Sequence, residues 1–233
     1  SNNAQIGVLI KFNLNGDTIW QKRFYDPNDY TIPQMLIKSC DNGFFITGIF
    51  EDPVSVNRTV MLIKIDSNGN ELWRKKITKV TPNAHDGKVI LQDSATKKIV
   101  IVGYQYIGSS TAYTGYTSVL ILDSLGVKLG QHNYGGQGLI TNIIQTKDKK
   151  FIAVGSVRQS LVIGNLDTYK SYAVKFDINS PNVPIWSFQF DKTAVTNLFT
   201  SLTELGNEDV LITGIIDTMQ QNNLATNCLQ RIT

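Results

Sequence analysis

The side chains that could do chemistry in this 233-residue chain are few. His85 and His132 are the only histidines. A Ser-His-Asp arrangement needs one of them beside a serine and a carboxylate. The sequence has no G-x-S-x-G elbow, and His85-Asp86 falls in a segment read as a loop entering a strand. Cys40 and Cys228 lack a second Cys or His at metal-ligand spacing, so both read as semi-buried free thiols rather than zinc ligands. No catalytic set is expected.

Two turns, Asp41-Asn42-Gly43 and Asp66-Ser67-Asn68-Gly69, place several oxygens in a row. Calcium takes six to eight oxygen ligands, and neither turn continues into D-x-D-x-D-G or a following bidentate Glu. Asx side chains bonding their own backbone account for both, so no metal is expected. Tyr134-Gly135-Gly136-Gln137-Gly138 lacks the Lys-Ser/Thr of a phosphate loop and reads as a tight strand-to-strand crossing.

The remaining candidates are loop and strand-end residues: Tyr30, Tyr104, Tyr106, Tyr113, Tyr116 and Tyr169. With them go Asp26, Asp29, His85, Asp86 and Arg158. Tyrosine offers a large rigid ring with a polar tip, suited to stacking on a sugar or anchoring a protein partner. The ligand site expected from these residues comprises the six tyrosines with Asp29, His85, Asp86 and Arg158. Asp26, Asp29 and Asp86 are the carboxylates that could serve a glycan hydrolase or lyase, if a pair were held about 5–9.5 Å apart.

What must position these residues is a repeat. Ile10-Lys11-Phe12-Asn13-Leu14-Asn15-Gly16 precedes Trp20, and Ile63-Lys64-Ile65-Asp66-Ser67-Asn68-Gly69 precedes Trp73 at the same spacing. Ile121-Leu122-Asp123-Ser124-Leu125-Gly126 precedes Gly130, where the indole is lost, and Val174-Lys175-Phe176-Asp177 precedes Trp186. Gln230-Arg231-Ile232 is a fifth trace. Steps along this column are 53, 57 and 56 residues. A second column, Gly48, Gly103, Gly155 and Gly214, steps by 55, 52 and 59.

Each unit reads as four strands. In one unit strand A is Gln34–Lys38, strand B Phe44–Phe50, strand C Val60–Ile65 and strand D Glu71–Ile77. Val60–Ile65 is apolar on both faces, so its sheet should be covered on both sides. Four-stranded units stacked on their neighbours describe an all-β β-propeller. The expected blades are 33–77, 87–134, 139–190 and 198–233, with residues 6–25 closing the last one. That makes about four blades in a single domain over 1–233, or five if the terminal strands do not share a blade.

The pattern D-x-x-G-x-x-x-W, alternating with an apolar run ending in Gly, resembles repeats of secreted or lipid-anchored β-propellers common in Bacteroidetes. It is distantly similar to the PQQ-type tryptophan propeller repeat. The resemblance implies a periplasmic or cell-surface location and a scaffold, with no fixed activity. No cofactor constellation accompanies it, and the three tryptophans read as packing between blades. On the same resemblance the B–C and D–A loops share one face, where ligands bind.

A net charge of +3 without clustering argues against nucleic acid. No apolar run reaches the roughly 18–20 residues of a membrane helix. Ser1–Gln5 has no basic and apolar regions of a signal peptide and reads as a polar tail. The expected function is a non-catalytic exported module binding a glycan or protein. The alternatives are a carboxylate-dependent glycan hydrolase or lyase, and an assembly protein pairing through its terminal strand.

Overall fold

The computed structural model describes residues 5–77, 84–109, 112–136, 138–159, 168–180, 183–190, 196–217 and 226–232. Within these, the side chains of 107–109, 112–114, 159, 168, 196, 217 and 226–232 lie outside the description. Among the described residues there is no helix. β-Branched and aromatic residues fill the strands, and Asx-Gly turns separate them.

The strands group as the repeat requires. β1 (Gly7–Phe12) and β2 (Thr18–Phe24) form a hairpin. β3 (Tyr30–Lys38), β4 (Phe44–Glu51), β5 (Arg58–Ile65) and β6 (Glu71–Lys76) form a four-stranded antiparallel sheet in chain order. β7 (His85–Gln92), β8 (Ile99–Ser109), β9 (Ala112–Leu122) and β10 (Lys128–Tyr134) form a second. β11 (Gly138–Gln145), β12 (Phe151–Gln159), β13 (Thr168–Phe176) and β14 (Trp186–Phe190) form a third. A single parallel bridge, Tyr169 to Thr196, joins it to β15 (Thr196–Glu204), β16 (Val210–Asp217) and β17 (Thr226–Ile232). The blade-like arrangement is all-β, with about four blades.

Alternation along the strands sends side chains to two different cores. Ile99 and Ile101 of β8 pack with Phe45, Val60 and Leu62 of the preceding sheet. Val100 and Val102 pack with Ile140, Phe151 and Ala153 of the following one. Ile152 and Val154 of β12 continue the stack onto Phe199 and Ile212. At the other end, Met61, Ile63 and Ile65 pack with Phe24 of β2. The β3–β6, β7–β10 and β11–β14 sheets each bury both faces against their neighbours and so depend on them for stability.

The two sequence columns have direct physical causes. The first strand of each repeat unit carries a bulge, at Gln34, Lys88, Thr141 and Thr200, opposite the glycine column. The bulge drives a carbonyl into the partner strand. A methyl at Gly48 would stand 2.1 Å from the Ile32 oxygen, and at Gly103 1.8 Å from that of Asp86. At Gly155 it would stand 1.9 Å from the Leu139 oxygen, and at Gly214 2.5 Å from that of Leu198. Only glycine fits. In the other column, Trp20 lies over Gly69 and Trp73 over Gly126, each glycine in the C–D turn of the next sheet with φ of 79° and 74°. Trp186 packs on the core between the third and last sheets. The tryptophans are inter-sheet packing groups.

Among the described residues, β1 and β2 pair with each other and pack against the β3–β6 sheet, while β17 pairs with β16. The motif explains why. β1 and β17 are both third-strand copies, so β1 and β17 compete for one position beside β16, and β17 holds it.

Candidate functional site

Arg58 opens β5, Asp86 and Lys88 lie on β7, Tyr104 and Tyr106 lie in the middle of β8, and Tyr169 is the second residue of β13. All border one cleft of about 390 Å³, a volume in the range of small-molecule sites. Leu139 of β11, Ser156 of β12 and Leu198 of β15 complete the wall, so all three large sheets contribute. Asp86, Leu139 and Leu198 are equivalent positions, each two residues before its bulge. The bulge that demands a glycine opposite also aims this column at the cleft.

The electrostatics centre on Asp86, whose side chain is 7% exposed. Its Oδ2 lies 3.6 Å from Arg58 Nη1 and 3.7 Å from Lys88 Nζ. Its Oδ1 is buried and, among the described residues, has no hydrogen-bond partner. Burial raises the Asp86 pKa above the ordinary carboxylate value, and the neighbouring Lys88 and Arg58 oppose that rise. Arg58 is held in turn by Glu51, with Nε donating to Oε2 at 2.5 Å. The Tyr104 and Tyr106 rings meet edge to face with centroids 4.0 Å apart.

Several expected residues stand elsewhere. Asp26 faces Arg74 at 3.8 Å and Asp29 pairs with Lys76, so neither borders the cleft. Tyr30 is at the start of β3 and Tyr116 on β9, both half-buried outside the cleft wall. Arg158 pairs with Tyr169 across β12 and β13 without lining the cleft. Tyr113 belongs to β9, and its side chain lies outside the described residues. His85-Asp86 is not a loop but the first two residues of β7. His85 is 1% exposed, and burial depresses its pKa to about 4, with Lys128 adding to the effect. It is a neutral core imidazole at pH 7.

The turn carboxylates bond their own turns and a neighbouring lysine. Asp66 Oδ1 accepts from the Asn68 and Asn70 amides at 2.8 Å each. Asp41 Oδ1 accepts from Lys64 Nζ at 2.5 Å, and this bond chiefly lowers the Asp41 pKa to about 2. Among the described residues, no three His, Cys, Asp or Glu side chains gather as a metal-binding group. Cys40 is exposed rather than semi-buried, because it sits at the tip of the β3–β4 turn; the Cys228 side chain is outside the description. Sequence reasoning missed Arg58 and Lys88. Lys88 had a usable signal, since it precedes Val89 just where the alternation of β7 slips by one residue.

No protein-family model matches this chain, and no curated protein matches it. Among solved structures it is similar to a Bacteroides caccae protein of unknown function, at 10% identity and a TM-score of 0.43. That match covers 98% of this chain and 73% of the other.

Proposed function

We propose that this protein is a non-catalytic, exported binding module that recognises a glycan in the cleft bordered by Tyr104, Tyr106 and Tyr169. The observation that carries this reading is convergence: tyrosines, two cations and a buried carboxylate come from separate sheets to one concave site. Rigid aromatic walls with a few fixed polar groups suit a sugar ring, which has an apolar face and a polar rim. The likeness to exported Bacteroidetes repeats supports a periplasmic or cell-surface location and a propeller scaffold. A carboxylate-pair hydrolase is less well supported, because Asp86 is the carboxylate that borders the cleft while Asp26 and Asp29 are tied to Arg74 and Lys76.

Glycan-array binding with Tyr104→Ala and Tyr169→Ala tests the proposal. Loss of binding in both variants, with unfolding midpoints retained, is the expected result. Capture of a protein ligand with no glycan bound would replace this reading by the protein-binding one. A second reading rests on β17, which pairs with β16 on one side and, among the described residues, with no strand on the other. There the chain assembles by adding a partner's strand, and a strictly monomeric mass at high concentration counts against it.

A further inference from the structure

The cleft's hydrogen-bonding groups restrict what a ligand must present, and this inference rests on the glycan reading above. Asp86 Oδ1 is a buried acceptor without a donor among the described residues, on a side chain more than nine-tenths buried. Beside it, the Lys88 ammonium lies 3.7 Å from Oδ2, beyond hydrogen-bond length, and borders the same cleft. An acceptor lacking a donor therefore stands next to a donor with protons to give.

Each class of ligand group can be weighed against that pair. A carboxylate or sulfate accepts only; it would satisfy Lys88 but set a second negative charge against Asp86 and leave Oδ1 unpartnered. An ammonium donates only; it would satisfy Oδ1 but face Lys88 and Arg58. A hydroxyl both donates and accepts. Two adjacent hydroxyls serve both protein groups at once without adding charge where Arg58, Glu51, Asp86 and Lys88 already balance. Leaving the buried Oδ1 unmet is the costly alternative, so the group that meets it gains most.

We infer that the cleft binds a neutral sugar ring through a vicinal pair of free hydroxyls, one donating to Asp86 Oδ1 and its neighbour accepting from Lys88 Nζ. Arg58 is a positioning residue: held by Glu51, it stands 3.6 Å from Asp86 Oδ2 and fixes that carboxylate at the cleft wall. The apolar face of the ring lies on the tyrosines, with Leu139 and Leu198 closing the wall.

The test is calorimetric titration of the intact protein with a panel of neutral methyl hexosides, pentosides and deoxyhexosides. Glucuronate and glucosamine serve as the anionic and cationic counterparts. At least one neutral glycoside should bind, with both charged sugars more than tenfold weaker. The deoxy analogue lacking either contacted hydroxyl, and the variants Asp86→Asn and Lys88→Met, should each lose about tenfold to a hundredfold in affinity. If Asp86→Asn does not fold, Lys88→Met and the deoxy analogues decide alone. Equal or tighter binding of a charged sugar overturns this inference and leaves glycan binding standing. Silence across the whole panel overturns both.

Discussion

Replacing Gly103 by alanine should be among the most damaging single-methyl additions in the chain. The new Cβ would lie 1.8 Å from the Asp86 carbonyl oxygen and 2.8 Å from its carbon, far inside the 3.4 Å at which ordinary contact begins. The obstacle is backbone, so no side chain can rotate away, and β7 must retreat from β8 at its bulge. Overpacking of this kind costs about 1–3 kcal/mol, and the rigid partner puts Gly103→Ala at about 3. The same reasoning ranks the column: Gly155→Ala (1.9 Å) and Gly48→Ala (2.1 Å) follow, and Gly214→Ala (2.5 Å) is mildest. Gly206→Ala is the control, because a methyl there meets nothing within 4 Å and its φ is not left-handed. It should be neutral or stabilising by up to about 1 kcal/mol. Urea unfolding at pH 7 measures all five. Because the displaced carbonyl belongs to Asp86, Gly103→Ala should also weaken ligand binding more than Gly48→Ala does. A Gly103→Ala cost below 1 kcal/mol, or one equal to Gly206→Ala, would refute the assignment of the glycine column to the bulges.

Three further outcomes follow from the stack and its buried groups. Gly126→Ala should cost about 1–3 kcal/mol more than Gly16→Ala in urea titrations: both have positive φ, but only Gly126 presses on Trp73, at 2.8 Å. Gly130 occupies the tryptophan position of the repeat beside a groove of about 450 Å³ walled by Ile121 and Ile178. Gly130→Trp should raise stability by about 0.5–2 kcal/mol, read as a higher thermal midpoint, and a lower midpoint would mean that Ile178 already fills the space. His85 has a folded pKa near 4 against 6.5 unfolded, so its stability is complete above pH 6.5 and is lost as pH falls towards 4. That is about 3 kcal/mol. His132 adds to this slope and the raised Asp86 opposes it, so the difference between wild type and His85→Gln isolates His85.

The scaffold was legible because its causes repeat. A bulge that leaves no room for a Cβ, and an indole laid on a left-handed turn, each impose a residue type at a fixed interval, and both intervals appear in the sequence. The site was legible only in part. Asp86, Tyr104, Tyr106 and Tyr169 were found by residue type alone, and the structure places Tyr104 and Tyr106 in mid-strand rather than in a loop. Tyr30 and Tyr116 share that composition but lie off the cleft wall, and residue type carries no information about direction. Lys88 escaped because a bulge redirects one side chain without changing the strand's composition. Arg58 escaped because its role depends on Asp86 from another sheet, a contact across 28 residues that no local pattern encodes. The placement of β1 and β2 is also non-local: two equivalent strand copies competed for one edge, and the sequence of each is compatible with it.

The most direct measurement is an amide-shift map by heteronuclear NMR as a neutral methyl glycoside is titrated in. The account predicts saturable shifts at Arg58, Asp86 to Lys88, Tyr104 to Tyr106, Leu139, Ser156 and Tyr169, on segments from separate sheets and with one shared dissociation constant. Shifts confined to outer strands such as β6 and β10, or segments titrating with unrelated constants, would contradict it.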